Sequence, residues 1–307
     1  AFADAVDAPK VLDLPGASRR QHVTAVAQTS SGEIVVGEEA IRADDVLRLW
    51  LAFKSRDLHD PETRKPMQLL VRRIVADIVE NGTIPDPATV RWVFGAPSGW
   101  TGEQYVAYEE LLAEAGLEDA HVVAESRAAL LYARDSGEVN VTGRRITEGV
   151  MIADIGSSTT DYTFVTDLAQ QPVDHGNVDL GAALIDKEIM RRAIERHPEG
   201  DKLATRLAGD PHSARKLELA CRESKEKFFR TRREELAASG KRVGLYHPVE
   251  LATGAEFVLD LRLSVADMDA VLDAPQPTLN GRSWATAFAQ DVATAIEQAS
   301  GTSTSCC

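Results

Sequence analysis

Cysteine is scarce: three occur in 307 residues, with Cys221 inside a helical pattern and Cys306 and Cys307 closing the chain. So few thiols exclude a disulfide framework and a cysteine-rich zinc site, and they fit a reducing cytoplasm. The seven histidines show no ligand spacing, which argues against a zinc hydrolase. No apolar run approaches the roughly 18 residues of a membrane span. Ala1-Phe2-Ala3-Asp4 lacks a basic region leading into an apolar stretch, so no secretory signal is visible. Positive charge is also short. Against 48 Asp and Glu stand 34 Lys and Arg, giving a formal net charge of -14. Such a chain repels a phosphate backbone, and broad nucleic-acid binding is not expected. No Walker loop occurs. Gly95-Ala96-Pro97-Ser98-Gly99 is one residue off a nucleophile elbow. The final Cys306-Cys307 pair matches a double-prenylation tail only superficially.

The remaining composition, 44% apolar and 27% charged, is that of a globular protein long enough for one large domain or two lobes. Short strands and turns fill the first forty residues, with Val23–Ala27 and Glu33–Gly37 as strands. Helical periodicity runs from about Asp44 to Phe53. A second helix is expected from Pro66 to Asn81, with Met67, Leu70, Val71, Ile74 and Ile78 on one face. Thr89–Gly95 reads as a strand. Thr101 and Gln104 form a capping box for a helix ending at Gly116. A strand at His121–Val123 feeds a helix from Ser126 to about Ala133, and this alternation implies α/β layers. The polar stretch Asp135–Thr147 marks a change of lobe, and Gly149–Val165 reads as two strands around a tight turn. Beyond Gly181 the pattern is helical. From about His197 to Pro275 it is charge-rich, with Leu217, Cys221, Ser224 and Phe228 on one face, and a last helix spans Trp284–Ala299.

Chemistry concentrates in Met151-Ile152-Ala153-Asp154-Ile155-Gly156-Ser157-Ser158-Thr159-Thr160-Asp161. A carboxylate ends an apolar strand, a turn of small residues follows, and a second carboxylate opens the next strand. Small residues let backbone amides converge on a phosphate. Two carboxylates suit a magnesium ion that keeps most of its water. Taken alone, the segment fits an ordinary hairpin with a polar turn equally well.

Asp154–Asp161 resembles the second phosphate motif of the actin/Hsp70/sugar-kinase superfamily. Val122-Val123-Ala124-Glu125-Ser126-Arg127-Ala128-Ala129, Asn177-Val178-Asp179-Leu180-Gly181-Ala182 with Asp186, and Ala214–Lys225 resemble Hsp70 segments in the same order, as do Glu33–Ala40 and Phe53-Lys54. The ordered set favours the Hsp70 family. That resemblance implies an α/β, two-lobed actin-like ATPase fold with RNase H-like lobes. Lobe I would cover 1–147 and lobe II 148–307, with a mostly helical subdomain at about 197–275.

It also implies ATP or ADP with Mg2+ as cofactors. Lys54, Glu125, Asp154, Thr159 and Asp161 would be the catalytic set, and Asp154, Asp161 and Glu125 would meet the metal through water. Gly156, Ser157, Ser158, Gly181, Ala182, Arg222 and Lys225 would line the nucleotide. Phosphoryl transfer asks mainly for positioning and charge stabilisation, which such a kit supplies. Ser157 and Ser158 stand where the family has glycines, and Tyr105 stands where it has an arginine. Arg222 and Glu226 reverse the family's acid and arginine. An Asp-Gly-Thr-rich loop is expected before Ala1 and a glycine-rich adenosine loop after Ala299. The chain shows neither, which implies slow hydrolysis. Polypeptide clients and co-chaperones would be partners of an intact relative. The competing readings are a non-catalytic nucleotide sensor and a bacterial actin-like or sugar/acetate-kinase-like ATPase.

Overall fold

The computed structural model describes residues 23–51, 53, 57–82, 84, 86–97, 100–136, 149–166, 169–171, 176–177 and 179–302. The chain divides into two compact units, Ala1–Val141 and Thr142–Cys307.

In the first unit, β1 (Ala25–Thr29) lies between β2 (Ile34–Val36) and β3 (Val46–Leu51), antiparallel to both. Gly32 holds a φ of +88° in the β1–β2 turn, a conformation that glycine adopts without strain. A short helix α1 (Glu38–Arg42) follows β2. The helix expected near Asp44–Phe53 is instead β3. Ala25, Val26 and Ala27 are completely buried, so their backbone groups need strand partners on both sides. The alternation of Val46, Arg48 and Trp50 with Leu47, Leu49 and Leu51 lets this segment supply the second side.

Helix α2 (Pro61–Glu80) starts a turn earlier than expected. The Asp60 side chain accepts from Glu62 N–H at 3.0 Å and Pro61 occupies the first turn, leaving Pro66 inside the helix. Met67, Val71 and Ile78 of the expected face are buried. The strand expected from Thr89 begins only at Val93, because Asp86 caps a 3-10 turn over Pro87–Thr89. This strand, β4 (Val93–Ala96), runs parallel to β5 (His121–Ala124). Between them lies α3 (Gly102–Glu114), whose start is the capping box: Gln104 N–H donates to Thr101 Oγ1, and Thr101 N–H donates to Gln104 Oε1. Helix α4 (Glu125–Ser136) leaves β5 directly. Val26, Trp50, Phe53, Met67, Tyr108, Leu111 and Leu112 share one apolar core.

The second unit opens with β6 (Val150–Ile155) and β7 (Thr160–Thr166), an antiparallel hairpin. Two short strands, β8 (Ala169–Gln171) and β9 (Gly176–Asn177), also pair with β7. Then come α5 (Ala183–Arg196), α6 (Gly200–Ala208), α7 (Pro211–Arg230) and α8 (Arg233–Ser239). A hairpin of β10 (Tyr246–Glu250) and β11 (Glu256–Asp260) interrupts the helical stretch before α9 (Val265–Leu272). Helix α10 (Trp284–Thr302) comes last. Leu217, Cys221, Ser224 and Phe228 of α7 are all buried, as their spacing predicts. They join Leu180, Ile189, Leu203, Leu259, Met268 and Trp284 around the core, apart from the polar Ser224. No helix among the described residues is long and apolar enough to cross a membrane.

Candidate functional site

The β6–β7 register sets Asp154 directly opposite Asp161 and Ile155 opposite Thr160. Cross-strand partners point to the same face of a sheet, so both carboxylates emerge side by side next to the turn. Thr159 Oγ1 donates to Asp161 Oδ2 at 3.2 Å. Gly176 lies against the same carboxylate: a Cβ there would come within 3.0 Å of Asp161 Oδ1.

The turn itself is short. Gly156 N–H donates to Thr159 O at 2.9 Å, which leaves Ser157 and Ser158 at the tip. Neither serine has a positive φ, so the turn needs no glycine at these two positions. Its carbonyls are taken by the segment before α5. Ala182 N–H donates to Gly156 O and Ala183 N–H to Ser157 O, both at 2.9 Å. Among the described residues, the amides of Ser157, Ser158 and Thr159 donate to no backbone carbonyl. The hairpin thus offers three uncommitted donors on the strand-turn that carries the paired acids.

Gly181 is where α5's approach touches the turn. A Cβ on it would lie 2.2 Å from Ser157 O and 2.5 Å from Ser158 C, so only glycine permits this contact. Thr160 Oγ1 donates to Leu180 O, and Trp284 Nε1 donates to Gly181 O at 3.2 Å. Behind them, Asn177 Nδ2 donates to Asp291 Oδ2 at 2.7 Å. Burial, reinforced by the charge of Asp291, pushes the Tyr162 phenol up to about 12.

The structure therefore gathers Asp154, Gly156, Ser157, Ser158, Thr159, Asp161, Gly181 and Ala182 around one turn in the second unit. Ala182 meets the turn through its amide, which is already engaged by Gly156. Lys225 and Arg222 lie on α7. Lys225 Nζ contacts Asp186 Oδ1 at 2.8 Å and Ala182 O at 3.1 Å, while Arg222 Nε pairs with Glu226 Oε1 at 3.0 Å. The reversed charges of Arg222 and Glu226 thus satisfy each other one helical turn apart. Glu125 belongs to the first unit, at the carboxyl end of β5 where α4 begins. Its side chain covers Gly95 of β4, where a Cβ would meet Glu125 Cγ at 2.7 Å. Burial first, and then the Glu125 charge, push the Tyr108 phenol up to about 12. Lys54 lies outside the described residues. The Trp284 contact to Gly181 had no local signal in the sequence, since it joins residues 103 positions apart.

Among the described residues no cluster of three or more His, Cys, Asp or Glu could hold an ion. Two facing carboxylates beside free amides are the kind of partial shell that magnesium completes with water and phosphate oxygens.

No family model and no curated protein matches this chain. Solved structures do. MreB5 of Spiroplasma citri bound to AMPPNP aligns with a TM-score of 0.54 at 14% identity, covering 89% of this chain and 71% of that one. The same protein bound to ADP aligns with a TM-score of 0.54 at 15% identity, covering 89% and 70%. The chain shares its fold with MreB. The likeness is one of mixed α/β fold alone, and it singles out no Hsp70 relationship.

Proposed function

We propose that this chain is a nucleotide-binding module of the actin-like type, with the Gly156–Thr159 turn as its phosphate cradle. The observation that carries the reading is the combination of three uncommitted amides at Ser157–Thr159 with two cross-strand carboxylates, Asp154 and Asp161. The likeness to MreB structures holding AMPPNP and ADP supports the same reading. Amides at the turn would meet phosphoryl oxygens, and Thr159 would orient Asp161 through its hydroxyl. Asp154 and Asp161 would hold hydrated Mg2+, which when bound neutralises phosphate charge. Glu125 and Lys54 remain proposed members of the set, Glu125 as a further acid at a strand end and Lys54 as the cation for the transferred phosphate. Gly181 and Ala182 act by seating the turn, and Arg222 acts through its pair with Glu226.

Within this fold the MreB matches favour an actin-like ATPase over an Hsp70-type chaperone, so polypeptide clients and co-chaperones form no part of the proposal. Calorimetric titration of the full chain with Mg-ATP tests it. Saturable binding that disappears on chelation, and is lost in Asp154→Asn and Asp161→Asn, is the expected result. Unchanged binding in both variants refutes the assignment. Measurable turnover then separates an ATPase from a sensor.

A further inference from the structure

Family resemblance directs Lys225 toward the ligand, yet its ammonium is buried and faces inward, with 8% of the residue exposed. Nζ donates to Asp186 Oδ2 at 2.9 Å and to Ala182 O at 3.1 Å, and it lies 2.8 Å from Asp186 Oδ1. Both acceptors sit in the first turn of α5, one at the residue preceding the helix and one four positions on. The same stretch reaches the other way: Ala182 N–H donates to Gly156 O and Ala183 N–H to Ser157 O. A continuous set of bonds therefore runs from a cation on α7, through the start of α5, to the carbonyls flanking the tip of the turn.

We propose that the Lys225–Asp186 pair is a positioning device: by fixing the first turn of α5, it sets the height of the Ser157–Thr159 amides and so the grip on a phosphoryl group. This rests on the phosphate-binding reading of the turn. A buried ion pair contributes little net stability compared with apolar groups of the same shape, because both charges lose their water. What it supplies is a defined geometry.

The pair also has an adjustable member. Asp186 faces Lys225, Arg222 and Glu218 on α7, with the Cys221 thiol close by. Burial pushes its carboxyl up to about 6, against the pull of Lys225 and Arg222. Above that value the carboxylate is charged and holds Lys225. As pH falls through it the pair becomes a weaker neutral–cation contact, and the start of α5 is less firmly fixed.

Mg-ATP titrations of the full chain between pH 5 and pH 8 test this, comparing wild type with Asp186→Asn, Lys225→Met, Lys225→Arg and the double variant D186N/K225M. Disturbing a supporting residue of this kind typically lowers affinity by about 10-fold or more. We expect such a loss at pH 7.5 in Asp186→Asn and Lys225→Met, and recovery of most of it in Lys225→Arg. The wild type should lose affinity near pH 6, and that step should vanish in every variant lacking Asp186; ATP's own titration is common to all and cancels in the comparison. If a single variant fails to fold by circular dichroism, D186N/K225M leaves no unpaired buried charge and carries the same expectation. A double variant with wild-type affinity and an intact step near pH 6 overturns the positioning role alone. A wild type that binds no Mg-ATP at any pH overturns the phosphate-binding reading as well.

Discussion

Replacing Gly181 by alanine is the sharpest perturbation of the turn. The added Cβ would lie 2.2 Å from Ser157 O, 2.5 Å from Ser158 C and 2.6 Å from Ser158 Cα, all backbone atoms with no rotamer to yield. Reaching ordinary contact requires the turn and the start of α5 to separate by roughly 1 Å. Overpacking of this kind costs about 1–3 kcal/mol. The same movement stretches the hydrogen bonds from Ala182 to Gly156 and from Ala183 to Ser157, each contributing about 1 kcal/mol. The combined loss is about 2–4 kcal/mol, which for a unit of this size lowers the melting temperature by roughly 5–12 °C. Where turnover is measurable, a displacement of about 1 Å reduces it on the order of 100-fold. Thermal melts followed by circular dichroism, with calorimetric titration of Mg-ATP on the same samples, provide the assay. A Gly181→Ala protein melting within a degree or two of wild type, with unchanged nucleotide affinity, would show that the turn does not depend on this contact.

Other outcomes follow from single sites. Thr101→Ala removes the capping box of α3 and should lower stability by about 1 kcal/mol in urea melts, with no effect on nucleotide binding. Asp260 is held down to about 2, chiefly by Arg262 and then by its backbone bond and Arg242. Its folded value lies below the unfolded one, so its contribution is present above about pH 4 and lost as pH falls toward 2. Asp260→Asn should therefore be less stable than wild type at pH 7, with the difference shrinking as pH falls and closing only below pH 2. Thr160→Val loses the bond to Leu180 O and leaves that buried carbonyl unpaired, a loss of about 1–3 kcal/mol readable in the same melts.

Local chemistry makes several elements legible in the sequence. The Thr101/Gln104 box, the hairpin around Gly156 and the buried stripe of α7 depend on neighbours a few residues apart, and each stands where its residues predict. The errors share a different cause. The Asp44–Phe53 segment satisfies helical spacing well enough, but it becomes β3 because the buried Ala25–Ala27 stretch of β1 needs a second hydrogen-bonding partner. Pro66 has the character of a helix start because proline favours the first turn, yet the Asp60 cap and Pro61, five residues before it, begin the helix. At the site, residue types announced the acids and the turn. The seating of that turn on Gly181, the Lys225 bond to Asp186 and the Trp284 bond to Gly181 join distant stretches, and no local pattern encodes them.

The register that sets Asp154 against Asp161 has a thermodynamic side. Like charges directly opposite each other on a hairpin repel and weaken the pairing. Neutralising either aspartate should therefore give a protein that is harder to melt and less able to hold a cation. A tougher, inert variant and a softer, competent parent would be the mark of a strand pair whose sequence favours chemistry over cohesion.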